Sequence, residues 1–269
     1  MKPVLGWRTS QLLRAYFRGP DHPAKLRLWE WMRRLTGHPL FLVRYMKDGW
    51  IHVDERDRIG RELFIEGFYE PEVWETLAAF ADSNEIVWDI GAHIGSFALR
   101  PMSDPRVQEV HAFEPNPRQL EILSSNVSMN SGRCVVHPFA LSDRQETRPL
   151  YQGPPHNTGL SSLAVAVSEE ADVVNCRTVD SLVFEEKIPP PSLLKVDAED
   201  WELHVFQGAE RTLSEFPPKA IVFEGIDEES GLPAGEAASF LKKKGYAIRH
   251  IERRSNRREY RENYLAARP

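Results

Sequence analysis

Val87-Trp88-Asp89-Ile90-Gly91-Ala92-His93-Ile94-Gly95 reads as a buried strand that runs into a glycine turn and then a helix. Gly91 and Gly95 let the backbone approach a ligand with no side chain between them, and the carboxyl edge of a parallel sheet is where open α/β folds hold their ligands. A loop built for a dinucleotide pyrophosphate wants Gly-x-Gly-x-x-Gly, but counting from Gly91 puts His93 and Ser96 where the later glycines belong. The dinucleotide reading therefore fails on spacing. An aspartate at the strand end, Asp89, suits a ligand with a cationic amino group, because carboxylate-to-ammonium contacts are favourable in a partly desolvated cleft. Asp89 reads equally well as a turn or helix-capping residue.

The next strand, Val110-His111-Ala112-Phe113, ends at Glu114-Pro115-Asn116-Pro117. A carboxylate at this tip can accept two hydrogen bonds from vicinal ribose hydroxyls, as the acidic residue does in nucleoside-binding α/β folds. The plainer alternative is an acidic group near a helix N-terminus, worth about 0.3–1 kcal/mol. Around these two strands, short apolar runs alternate with helical patterns. Strands are expected at 86–90, 109–113, 134–139, 193–197, 220–224, 246–252 and 264–267, and helices at 96–102, 117–129, 201–215 and 235–244. This is the pattern of a doubly wound, seven-stranded, mainly parallel sheet covered on both faces. Residues 253–262 are polar and too few for a helical crossover, so the last strand should be antiparallel.

Within this α/β domain, placed at 83–269, residues 141–183 read as a hairpin-like insertion plus a loop. The preceding extension, 1–82, contains two short strands at 41–45 and 50–53 joined by Lys47-Asp48-Gly49, a hairpin signal, and a helix at 71–81 opened by Pro71. Residues 1–38 are locally basic, and Leu28, Met32 and Leu35 recur at helical spacing within an amphipathic helix over 24–35. Such a helix fits peripheral contact with an anionic membrane, although packing onto the catalytic domain is the commoner fate of an amphipathic face.

Thirty-four basic residues against 40 acidic ones give a net charge of −6, so the molecule lacks the field expected of a nucleic-acid partner. Cys134 and Cys176 have neither zinc-ligand nor disulfide-framework spacing and fit a reducing, cytoplasmic setting. No apolar run approaches the roughly 20 residues needed to span a bilayer.

Taken together, Gly67-Phe68-Tyr69-Glu70-Pro71, the loop from Asp89 to Gly95, Ala112-Phe113-Glu114-Pro115-Asn116, Ala140-Leu141-Ser142-Asp143, Gly159-Leu160-Ser161-Ser162-Leu163 and Leu194-Lys195-Val196-Asp197-Ala198-Glu199 resemble the FkbM-type S-adenosylmethionine-dependent methyltransferases. The resemblance implies the Rossmann-like methyltransferase sheet with an antiparallel final strand. It also implies methyl transfer from S-adenosylmethionine to a hydroxyl of a sugar, glycan or secondary metabolite. By the same resemblance, the backbone of Gly91, Ala92, His93 and Gly95 joins Asp89, Glu114, Pro115 and Asn116 around the cofactor. Ala140 and Leu141 border adenine, and Glu70 closes the pocket from the N-terminal side. Two positions depart from the family pattern: Asp200 stands where Gly is common, and His93 where Asn is frequent.

Lys195, Asp197 and Glu199 alternate along the end of the fourth strand of the domain, which puts three ionisable groups on one side. For a hydroxyl acceptor Asp197 is the first candidate base and Glu199 the second, with Lys195 fixing their charge or orienting the acceptor. The alternative is a structural ion pair between Lys195 and Asp197, with Glu199 at a helix N-terminus. Glu224, at the next strand end, also points to the carboxyl edge. Carboxylates here could hold Mg²⁺, but no second cluster supports it, and no metal ligand is assigned. The contrasting functional class is a non-catalytic adaptor that keeps the fold and docks through its basic N-terminal helix.

Overall fold

A computed structural model of the chain describes residues 4–5, 7–18, 27, 31, 40–46, 49–130, 133–154, 156–166, 169–226, 235–254 and 261–268. In the extension, β1 (Val4–Leu5) runs parallel to β2 (Leu40–Tyr45), which pairs antiparallel with β3 (Gly49–Val53). The expected hairpin is present. Its turn residues Lys47 and Asp48 lie outside the described residues, as does the helix expected over 24–35 apart from Arg27 and Trp31. Helix α1 (Trp7–Arg18) packs on the small sheet, and Arg14 Nε donates to the Ile65 carbonyl at 3.1 Å.

A helix that the sequence reading lacks, α2 (Arg58–Glu66), follows. Its signals are local: Asp57 caps it, Oδ2 accepting from the Gly60 amide at 3.1 Å, and Gly67 ends it at φ 87°, a left-handed conformation that glycine adopts without strain. Leu63 and Phe64 bury its inner face. Helix α3 (Pro71–Ala78) starts at the expected proline and ends three residues short of Ala81.

The central sheet begins with β4 (Glu85–Ile90), followed by α4 (Leu99–Met102), β5 (Val107–Phe113), α5 (Pro117–Met129) and β6 (Cys134–His137). The insertion contributes a separate sheet of β7 (Ala140–Leu141), β8 (Glu146–Tyr151) and β9 (Ala171–Arg177), with β8 and β9 forming the expected hairpin. The chain returns through β10 (Leu193–Val196), α6 (Glu202–Gln207), α7 (Glu210–Glu215), β11 (Ala220–Ile226), α8 (Gly235–Lys243), β12 (Ala247–His250) and β13 (Arg261–Ala267). The strand order is β12-β13-β11-β10-β4-β5-β6, and β13 alone runs antiparallel, between β11 and β12. The chain winds outward from β4 in one direction and from β10 in the other. A crevice therefore opens above the carboxyl ends of these two strands, where open α/β sheets place ligands.

Strand alternation divides the core. Trp88, Phe113, Leu194 and Phe223 face one layer. Val87, Val110, Leu193 and Val222 face the other, together with Phe41, Ile51 and Leu63 of the extension. Each such large side chain stabilises the fold by about 1.5–3 kcal/mol when fully buried. Asn126 of α5 is also fully buried and ties the extension to the Asp89–Gly95 loop: Oδ1 accepts from the His52 amide at 2.7 Å and Nδ2 donates to the Ile94 carbonyl at 2.8 Å.

The helix expected at 201–215 is two helices broken at Gly208 and Ala209. The cause is close packing, because a Cβ on Gly208 would sit 1.9 Å from the Ser142 carbonyl oxygen. The helix expected at 96–102 is α-helical only from Leu99.

Candidate active site

Local backbone geometry shapes the loop after β4. Gly91 (φ 79°), His93 (φ 51°) and Gly95 (φ 89°) are all left-handed. The amides of Gly91 and Ala92 both donate to the Phe113 carbonyl at 3.0 Å, which joins the loop to the tip of β5. A Cβ on Gly91 would lie 1.7 Å from the Asp197 carbonyl oxygen, so the tips of β4 and β10 meet only because this residue is glycine.

Glu114 sits just past β5, 6% exposed, and is held at both oxygens: Oε2 accepts from the His93 amide and Oε1 from the Asn116 amide, each at 2.7 Å. Burial pushes its pKa up to about 7 against the lowering effect of those two amides. Asn116 caps α5 through Oδ1, and its Nδ2 donates to Gln152 Oε1 at 2.9 Å and Ser161 Oγ at 3.2 Å, bringing the insertion over the site.

A cavity of about 710 Å³ opens along these tips. Gly91, His93, Glu114, Pro115, Asn116, Ala140, Leu141, Asp197 and Glu199 of the expected set line it, and so does Glu224. Glu70, Ala92 and Lys195 instead line an adjoining void of about 30 Å³, shared with Gly91, His93 and Asp197. Asp89 and Gly95 line neither cavity. Gly95 serves packing, since a Cβ there would come within 2.9 Å of Leu123 Cδ1.

Asp89 lies beneath the cavity wall, lining neither void. It is fully buried, and Lys195 Nζ lies 3.3 Å from its Oδ1. The register sets Asp89 beside Lys195 on adjacent strands, and Lys195 and Asp197, two residues apart, lie on one face. Lys195 Nζ also lies 3.1 Å from Asp197 Oδ2, so one cation bridges two carboxylates. Burial works against the charge of Lys195, but Asp197 and Asp89 outweigh it and raise its pKa above the ordinary lysine value. Glu70, whose pKa burial lifts to about 7, pairs at 3.1 Å with Arg253.

Asp197, Glu199 and Glu224 each offer an oxygen within 4.8 Å of the others. Burial raises the Glu224 pKa well above the carboxylate range, reinforced by the charges of Asp197, Glu202 and Glu70. Glu202, which accepts from the Ala198 amide at 2.8 Å, is pushed up to about 8, mainly by burial.

Asp200 does not cap the following helix. Trp201 occupies the cap position without a side-chain bond, and Asp200 lies at φ 72° next to Glu199 at φ 52°. The turn therefore demands the left-handed region, which Asp enters at a cost of about 1 kcal/mol and Gly enters freely. Asp200→Gly is expected to raise the melting temperature by about 2–4 °C in a calorimetric scan; an unchanged or lower value would place the cause elsewhere.

A polar chain absent from the sequence reading reaches the cavity wall at His93 and Thr158. Thr158 donates through its amide and its hydroxyl to Asp57 Oδ1, both at 2.7 Å, and His93 Nε2 lies 2.9 Å from Thr158 Oγ1. With the only hydroxyl proton of Thr158 committed to Asp57, His93 Nε2 carries the proton of this contact. Burial keeps the imidazole pKa below its ordinary value. Asp57 pairs here with a residue 101 positions away in the chain.

Among the described residues, no helix is long and apolar enough to cross a membrane. Residues 89–248 match the family model described as the methyltransferase FkbM domain. Hexuronic acid methyltransferase AglP of Haloferax volcanii is 27% identical over 144 residues, covering 54% of this chain and 58% of that protein. AMB antimetabolite synthetase AmbE of Pseudomonas aeruginosa is 24% identical over 238 residues, covering 74% of this chain and 11% of that protein. The chain thus spans less than two thirds of the length of either curated relative. Among solved structures, methyltransferase FkbM from Methylobacillus flagellatus KT aligns with a TM-score of 0.47 at 16% identity, covering 96% of this chain and 76% of that one. The precorrin-6y C5,15-methyltransferase from Geobacter metallireducens GS-15 aligns at 0.44 and 14%, covering 74% and 88%.

Proposed function

Because the chain belongs to the FkbM methyltransferase family, we propose that it transfers the methyl group of S-adenosylmethionine to a hydroxyl oxygen of a small-molecule or glycan acceptor. The observation that carries this reading is one cavity with a ribose-type clamp at Glu114 and three carboxylates at Asp197, Glu199 and Glu224. The residues present fit the cofactor. Glu114 has both oxygens oriented by backbone amides and offers its outer lone pairs to two vicinal hydroxyls. Ala140 and Leu141 give an apolar wall suited to adenine.

When bound, the cofactor supplies a methyl group on a positively charged sulfur. The chain's task is then positioning, since displacement in line requires the acceptor oxygen to be held against that carbon. Asp197, held by Lys195, and its neighbours Glu199 and Glu224 accept the acceptor's hydroxyl hydrogens, and one of them takes the proton released. A hydroxyl acceptor matches these hydrogen-bond acceptors, and the relative named as a hexuronic acid methyltransferase places sugars among the first compounds to try.

The test is calorimetric binding of S-adenosylmethionine and its demethylated product, followed by transfer of labelled methyl to a panel of sugars and other hydroxyl compounds. Absence of binding removes this reading. A pH dependence follows from Glu114. The ligand binds its ionised form, whose fraction rises through a pKa of about 7, so affinity should rise about tenfold from pH 6 to pH 8. A flat calorimetric profile over that range would contradict the clamp.

A further inference from the structure

We propose that the closely packed carboxyl groups of Asp197, Glu199 and Glu224 form a wall that recognises the charge on the cofactor's sulfur, so that the protein binds S-adenosylmethionine more tightly than S-adenosylhomocysteine. The inference rests on the methyltransferase reading above and concerns the same cavity.

The order of the tips along the sheet locates the wall. Glu224 belongs to β11, Asp197 follows β10, Gly91 follows β4 and Glu114 follows β5, while β7 with Ala140 and Leu141 comes after β6. Neighbouring strands lie about 4.8 Å apart, which puts Asp197 roughly 10 Å from Glu114 along the edge. A nucleoside with its base at Ala140 and Leu141 and its ribose at Glu114 has its 5′ substituent over β4 and β10. That is the position of the wall.

Carboxyl groups outnumber cations around the wall. Three carboxylate oxygens lie within 4.8 Å of one another. Lys195 is divided between Asp197 at 3.1 Å and Asp89 at 3.3 Å. Arg253 pairs with Glu70 at 3.1 Å and Glu262 at 3.2 Å and also feels the charge of Glu224. Glu202 stands behind with 7% exposure, and Arg58 lines the cavity from the start of α2. Like charges packed this closely raise each other's cost of ionisation, and a fixed positive charge brought against them relieves it. Transfer of the methyl group leaves the C–S electron pair on sulfur as a neutral thioether, while carbon bonds the acceptor oxygen and the hydroxyl proton passes to a wall carboxylate. The product then lacks the charge that the wall recognises.

The experiment is titration calorimetry of the full chain in metal-free buffer with EDTA, using three ligands: S-adenosylmethionine, S-adenosylhomocysteine, and the analogue with a protonated amine in place of the sulfonium. Both cationic ligands are expected to bind at least about tenfold more tightly than the neutral thioether. Glu199→Gln and Glu224→Gln should each narrow the ratio to about threefold while leaving thioether affinity within about twofold. Equal affinities, or tighter binding of the thioether, overturn the proposal and leave the methyltransferase reading intact, whereas failure of all three ligands to bind overturns that reading. A preference that appears only on replacing EDTA with Mg²⁺ means that the wall serves a metal and overturns the proposal. Should a variant fail to fold by thermal melt, the three-ligand comparison on the unaltered chain decides alone.

Discussion

Glu114→Ala is expected to weaken binding of S-adenosylmethionine and its demethylated product by at least about a hundredfold, because two hydrogen bonds to a charged acceptor contribute about 1.5–3 kcal/mol each. The substitution also leaves the His93 and Asn116 amides, both now bonded at 2.7 Å, without their acceptor next to the ligand. Stability of the ligand-free protein should change far less. The carboxylate is buried and resists ionisation, with a pKa near 7, so its removal relieves a desolvation cost while it exposes those amides to water in the cavity. Calorimetric titration paired with a thermal melt separates the two effects. Affinity within threefold of the unaltered protein would remove Glu114 from the ribose site, and a collapse of the melt without ligand would make its role structural.

What was legible in the sequence follows the range of the interactions. Strands β4, β5, β10 and β11 announce themselves because strands covered on both faces read as short, largely apolar runs, and the antiparallel β13 follows from a connection too short to cross over. Glycine spacing and the two strand-end carboxylates brought Gly91, Glu114, Asp197 and Glu199 to one cavity. Side-chain alternation put Lys195 and Asp197 on one face, but only strand order shows that Asp89 is their neighbour on the next strand, within ion-pair distance of Lys195. Contacts between distant segments left no periodic trace. The Asp57, Thr158 and His93 chain joins three loops, and the break at Gly208 depends on the Ser142 carbonyl 66 positions earlier in the chain. Asp200 is intermediate: its departure from glycine is visible in the sequence, while the reason appears only in its φ of 72°.

Lys195→Met is expected to be the most destabilising single change, by about 3–5 kcal/mol, because removing one member of a buried ionic cluster strands the others. Lys195 is 6% exposed, and its ammonium is the shared partner of Asp89, fully buried, and Asp197. Methionine keeps most of the side-chain volume, so the loss reports charge more than packing. At roughly 2–4 °C per kcal/mol for a chain of this size, the melting temperature should fall by about 10 °C. The pH dependence identifies the cause. Asp89 already has its pKa raised by burial, with Lys195 opposing that rise. Without the ammonium, its folded-state pKa climbs further above the unfolded value, so the folded protein binds the extra proton and the deficit shrinks as pH falls toward the ordinary carboxylate range. Asp89→Asn in the Lys195→Met background should likewise restore part of the loss, since the amide carries no charge into the core, although Asp89→Asn alone destabilises. Urea denaturation of the two single variants and the double variant gives the coupling directly. Additive losses would show that Asp89 and Lys195 do not act as one ionic unit.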